Sequence, residues 1–149
     1  MPSAGQDEGS EPQGPERPPP RPLRVLIVDD NRDSLLTLGM LCRSEGMDVQ
    51  MLRRGAEVPA AVAQFVPDVV LLDIGMPDRS GFDVAEELTE LYGEHRPLLI
   101  AVTAYSSEKE REMARLSGFH HFTAKPYDPQ TLLRRLTLLK PLASRGGSR

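Results

Sequence analysis

The chain has 149 residues, 39% of them hydrophobic and 27% charged, with a net charge of −4. That is enough for one domain with a buried core, and the acidic balance argues against non-specific binding of nucleic acid. The single cysteine, Cys42, has no partner for an internal disulfide and points to a reducing compartment. No apolar run approaches the ~20 residues that cross a bilayer. The first residues also lack the charged-then-apolar pattern of a secretory leader, so a cytoplasmic protein without membrane insertion is expected.

Half of the 14 prolines fall in residues 1–22, where no large apolar residue stands between Met1 and Leu23. Such a stretch cannot bury enough surface to offset the entropy of ordering it. It reads as a disordered, Pro-rich, solubilising leader, with a docking role as the alternative. Residues 23–29, LRVLIVD, form an apolar run rich in Val and Ile, as in a strand covered on both faces. Leu35, Leu38, Leu41 and Cys42 then recur at helical spacing, and Gly46 stops that helix. A short strand is expected at 48–52, then a helix at 56–66 in which Pro59 is tolerated in the first turn. Residues 68–73, DVVLLD, are the second strongly apolar strand. A helix at 81–93 and a strand at 97–103 follow. The helix at 106–118 opens with a capping box of Ser107 and Glu110. A last strand is expected at 119–124, and a last helix at 128–140 with Asp128 as cap and Pro129 at its first position. The folded domain is therefore read as 23–140, with a disordered tail at 141–149.

Five strand–helix units joined by short links imply an α/β fold, a doubly wound parallel sheet with five helices over both faces. Ligands of such sheets bind beyond the carboxyl ends of the strands. That rule singles out Asp29, Asp30, Asp73, Thr103 and, just past the last strand, Lys125. Two carboxylates ~4 Å apart repel by about 4 kcal/mol at an effective dielectric near 20, and a hard divalent cation reverses that sign. Mg²⁺ takes oxygen ligands, typically one or two carboxylates with waters and a phosphate oxygen. The cluster therefore suggests a Mg²⁺ site open to a phosphoryl group, with Lys125 as a point charge on a phosphate oxygen and Asp73 able to act as nucleophile.

The motifs VDD (28–30), LLDIGMPDRSG (71–81), VTA (102–104) and KPY (125–127), in this order and at these intervals, resemble the response-regulator receiver domain of two-component signalling. The resemblance spans 23–140. It implies a flavodoxin-like strand order of 2-1-3-4-5. It also implies a stand-alone phosphoacceptor that receives a phosphoryl group from a histidine kinase or histidine phosphotransfer protein and signals through protein contacts. By the same resemblance Asp73 is the phosphoacceptor. Asp30 and Asp73 ligate Mg²⁺ directly, Asp29 through water, and the Gly75 carbonyl completes the protein ligands. Thr103 and Lys125 contact the phosphoryl group. Thr103 and Phe122 form the switch, acting on the face made by the fourth helix, last strand and last helix. Gly75 and Tyr105 tune phosphate lifetime; Gly75 has no side chain to orient water and Tyr105 is bulky, so slow self-hydrolysis is expected.

Duller readings stand beside these. An isolated Asp29–Asp30 pair reads as a helix cap, as does Asn31. His120 and His121, adjacent on a strand, point to opposite faces and cannot chelate one ion together; they read as surface and boundary residues. Cys42 reads as a buried helix-face residue. A turnover phosphohydrolase on a similar sheet would need a second Asp where Gly75 stands, and nucleotide-binding glycine motifs are absent, so an enzyme is not expected. A phosphate sink or relay intermediate, and a phosphorylation-independent docking module, are the remaining alternatives. With no second folded segment expected, neither is direct contact with nucleic acid. The downstream target is not readable.

Overall fold

The computed structural model describes residues 21–147, position 105 excepted, with side chains up to residue 139. Residues 1–20 of the leader expected over 1–22, the residue at 105 and the last two residues of the tail expected over 141–149 lie outside the described residues. Five strands, β1 (Arg24–Val28), β2 (Asp48–Leu52), β3 (Val69–Asp73), β4 (Leu98–Thr103) and β5 (His121–Ala124), alternate with five helices. These are α1 (Arg32–Ser44), α2 (Val58–Phe65), α3 (Gly81–Tyr92), α4 (Glu108–Ser117) and α5 (Pro129–Gly147). All strand pairs are parallel, in the order β2-β1-β3-β4-β5. The expected flavodoxin-like sheet is thus the observed one.

Burial explains the apolar runs. β3 has neighbours on both edges and helices on both faces, and all five of its residues are buried. β2 is an edge strand, and Asp48 and Gln50 remain exposed there while Val49 faces inward. Leu35, Leu38 and Cys42 of α1 join Leu132, Leu133 and Leu136 of α5 over one face of the sheet. Val58 and Val62 of α2, Val84 and Leu88 of α3 and Ala114 of α4 cover the other. Each fully buried Leu or Val contributes about 1.5–3 kcal/mol over its exposed state. Among the described residues no helix is long and apolar enough to cross a membrane.

Several boundaries differ from the pattern reading. The helix expected from 56 opens as a 3-10 turn, Gly55–Glu57, before α2, with Pro59 in the first turn as expected. α3 stops at Tyr92 because Gly93 takes φ +57 and starts a second 3-10 turn. The last strand begins at His121, not at 119. Gly118 turns left-handed (φ +114) at the end of α4, which sends Phe119 into the core. His120 is consequently not a strand residue; its Nδ1 accepts the Leu99 N–H at 3.0 Å. α5 runs on to Gly147 instead of ending at Lys140, and Leu142, Ala143 and Arg145 are good helix formers. Arg21, assigned to the leader, belongs to the fold. Its guanidinium grips both oxygens of Asp68 at 2.8 and 2.7 Å, at the amino end of β3.

Candidate functional site

β1 and β3 are neighbours in parallel register, so Asp29, just past Val28, and Asp73, the last residue of β3, leave the sheet at the same rim. One carboxylate oxygen from each of Asp29, Asp30 and Asp73 lies within 4.8 Å of the others. Asp29 and Asp73 are buried and Asp30 is exposed. Lys125, just past β5, reaches across the rim. Its Nζ stands 3.2 Å from Asp29 Oδ2 and 3.3 Å from Asp73 Oδ2. The second oxygen of each carboxylate is fixed by its own chain two residues on. Asp29 Oδ1 accepts the Asn31 N–H at 2.9 Å, and Asp73 Oδ1 accepts the Gly75 N–H at 3.1 Å. Asn31 also caps α1, accepting the Ser34 N–H at 3.0 Å, so the capping role belongs to it.

The loop after Asp73 is folded back tightly on the strand. Gly81 donates its N–H to the Ile74 carbonyl at 3.0 Å, and a Cβ at position 81 would stand 2.7 Å from Ile74 Cα. Only glycine permits that approach. Thr103, buried at the end of β4, follows Val102, the register partner of Asp73. The Thr103 carbonyl accepts the Lys125 N–H at 2.8 Å and so sets where the lysine leaves the backbone. The Lys125–Pro126 peptide is cis. An open cleft of about 490 Å³ lies beside Lys125, walled by Asp33, Ser34 and Thr37 of α1 and by Pro126 and Tyr127.

The charges do not cancel. Burial raises the Asp73 carboxyl pKa; the Lys125 charge and the Gly75 amide pull it down and Asp29 pushes it up, leaving it above the ordinary carboxylate value. Burial works to lower Lys125, but the charges of Asp73 and Asp29 outweigh it and keep the ammonium protonated at neutral pH. Burial first, then the Asp29 charge, raises the Tyr127 hydroxyl. A pocket with three acids, one shared cation and an open wall suits a divalent cation with oxygen ligands. The carboxylates need more positive charge than Lys125 supplies.

The structure therefore brings Asp29, Asp30, Asp73 and Lys125 to one pocket, with Thr103 at the next strand end and Gly75 hydrogen-bonded to Asp73. Phe122, half-buried on β5, packs on the core beneath α4, and the Arg111 guanidinium lies 4.7 Å from its ring centroid. Tyr105 lies outside the described residues. Sequence reasoning missed Asp78, whose two oxygens accept the Gly55 and Ala56 amides at 3.0 and 2.9 Å. It also missed that Tyr127 flanks the pocket, although the KPY motif named it.

A family profile for the response regulator receiver domain matches residues 25–137. The transcriptional regulatory protein CreB of Escherichia coli is 35% identical over 117 residues, 78% of this chain and 50% of CreB, so the chain spans about half of that relative. Protein PilH of Pseudomonas aeruginosa is 32% identical over 111 residues, 74% of this chain and 92% of PilH. Among solved structures, the CheY-like response regulator receiver domain protein of Methanospirillum hungatei superposes with a TM-score of 0.76 at 25% identity. It covers 83% of this chain and 98% of its own.

Proposed function

This chain belongs to the family of response regulator receiver domains, signalling modules of two-component systems, and we propose that it accepts a phosphoryl group on Asp73. The donor is a phosphohistidine of a histidine kinase or a histidine phosphotransfer protein. The observation that carries this reading is the convergence of Asp29, Asp30 and Asp73 within 4.8 Å, with Lys125 between two of them.

A carboxylate oxygen of Asp73 attacks phosphorus, an O–P bond forms and the N–P bond of the donor breaks. The imidazole leaves with the electron pair and takes up a proton. Burial favours this nucleophile, since a carboxylate poorly solvated and raised in pKa holds its charge less comfortably than one in water. The Lys125 ammonium offers a point charge to a phosphoryl oxygen, and the Thr103 hydroxyl offers a donor. The cleft beside α1 gives the donor a side from which to approach Lys125. Asp30 and Asp73 would hold Mg²⁺ directly, Asp29 through water, and Gly75 through its carbonyl. When bound, that ion supplies positive charge against the oxygens of the transferring group.

Phosphorylation adds charge at Asp73 and draws Thr103 toward it, which shifts the half-buried Phe122 and alters the face made by α4, β5 and α5 for a protein partner. Gly75 offers no side chain to orient water, and Tyr105 is proposed to shield the phosphate, so its hydrolysis is slow. Incubation with acetyl phosphate and Mg²⁺, read by intact-protein mass, tests the reading. Wild-type protein gains one phosphoryl group and Asp73→Asn gains none. Uptake by Asp73→Asn, or none by the wild type, overturns it.

A further inference from the structure

Asp29 and Asp30 stand on the loop 29–31 after β1, and Asp73 ends β3 directly before the loop 74–80; both loops are tied to one short segment that belongs to neither. That segment is residues 52–56, between β2 and α2. On one side the Leu52 carbonyl accepts the Asp29 N–H at 3.1 Å, and an Arg53 guanidinium nitrogen donates to the Asp30 carbonyl at 3.3 Å. On the other side Asp78 receives Gly55 N–H on Oδ1 and Ala56 N–H on Oδ2, at 3.0 and 2.9 Å. Using both oxygens on successive amides fixes the carboxylate plane as well as its distance. The amides are those that open the Gly55–Glu57 turn, so Asp78 also satisfies donors with no partner inside that turn.

The contact is close and its far side is rigid. A Cβ on Gly55 would meet the Arg79 carbonyl oxygen at 3.0 Å and Met76 Cε at 3.1 Å. Met76, between Asp73 and Asp78, is buried in the core, and Arg79 pairs with Glu87 of α3 at 2.7 Å. The Ala56 amide foremost, with Gly55 behind it, holds the Asp78 carboxyl below the ordinary range and keeps it ionised. Asp78 itself lies outside the acidic pocket, so its charge is spent on the loop and not on a ligand.

We propose that Asp78 is a positioning residue. By clamping the loop after Asp73 onto residues 55–56, it makes the segment 52–56 a strut between the loop that carries Asp29 and Asp30 and the loop that leads away from Asp73, and so sets the separation on which cation binding depends. This rests on the reading of Asp29, Asp30 and Asp73 as a Mg²⁺ site. Loss of an outer residue that orients metal ligands costs roughly 10–100-fold in affinity; Asp78 acts through a loop, so the lower end applies.

The test is calorimetric titration of the full chain with Mg²⁺ alone, for wild type, Asp78→Ala, Asp78→Asn and Ser107→Ala, each first checked for native circular dichroism. Asp78→Ala raises the Mg²⁺ Kd roughly tenfold. Asp78→Asn, which keeps one acceptor oxygen, raises it less and remains informative should the alanine variant fail to fold. Ser107→Ala removes a cap of α4 far from the strut and leaves the Kd unchanged. In acetyl phosphate reactions the Asp78 variants need more Mg²⁺ for half-maximal labelling yet reach the wild-type rate at saturation, a split that general destabilisation does not produce. Wild-type affinity in both Asp78 variants, or an equal loss in Ser107→Ala, overturns the strut alone. Failure of the wild type to bind Mg²⁺ overturns the cation site and the strut together.

Discussion

Asp68 and Asp73 sit at opposite ends of the same central strand, both buried, at 4% and 7% exposure, yet their surroundings differ in kind. Asp68 receives both arms of the Arg21 guanidinium and the Arg24 N–H at 2.9 Å, so each oxygen is satisfied. Among the described residues Asp73 has one backbone donor and a lysine it must share with Asp29. A buried charge with a full set of donors is part of the scaffold. One left short of donors beside a like charge is held in readiness for something else. The two ends of the sheet repeat the contrast. At the amino end His120 and Arg96 close off backbone groups, with Arg96 donating to the Gly93 and Gly118 carbonyls at 2.8 and 2.9 Å. At the carboxyl end an open cleft lies beside Lys125.

The largest effect that can break this comparison is at Asp68. Asp68→Ala leaves a half-buried guanidinium and the Arg24 amide without their acceptor, and should cost about 3 kcal/mol in urea unfolding. Labelling by acetyl phosphate should persist in whatever fraction remains folded. A loss under about 1 kcal/mol would mean that the amino end is not the anchor described here.

At the other end the sign should reverse. The Asp73 pKa is raised in the fold, so the folded state holds its proton more tightly than the unfolded chain does. Stability is then lost as pH rises through the raised value, and no loss is present below the ordinary carboxylate range. In EDTA at neutral pH, Asp73→Asn should therefore have a higher urea midpoint than wild type. The two midpoints should converge in acid, and added Mg²⁺ should stabilise the wild type more than the variant. Equal midpoints across the whole pH range would remove the electrostatic half of the comparison.

The smallest effect sharpens the amino end. Burial first, then the charges of Arg96 and His121, lower His120 to about 4 from an ordinary 6.5. Neutral Nδ1 accepts the Leu99 N–H, whereas an unfolded histidine takes a proton as pH falls past its ordinary value. The contribution of His120 is therefore present at neutral pH and lost between about 6.5 and about 4. His120→Ala should be less stable by about 0.5 kcal/mol at pH 7, since solvent reaches the ring, and should match wild type by the acid end of that window. A constant difference at every pH would reduce His120 to ordinary packing.

The carboxyl end was readable from residues because strand ends carry ligands in parallel α/β sheets. Asp29 and Asp73 each follow a run of Val, Ile and Leu that announces its strand, and Lys125 follows the shorter HFTA. β2 was read to the residue, and the structure turns its Asp48 and Gln50 outward. The long-range ties at the two ends of the sheet were not readable. Arg21 finds Asp68 across 47 positions, and Asp78 finds Gly55 across 23. No local period marks such pairs. The first exists because β1 and β3 are paired neighbours, which brings the chain entering β1 to the start of β3; the second exists because the loop after β2 lies against the loop after β3. Strand order itself came only through the family resemblance. His120 looked like a strand residue since the turn at Gly118 that removes it from β5 depends on backbone φ, which glycine allows without announcing.

The Arg21–Asp68 clasp also has a practical consequence for handling the protein. It fastens the entering chain at the amino end of β3, opposite the acidic pocket. A purification handle or fluorophore fused ahead of Arg21 is thus joined on the side remote from the acids.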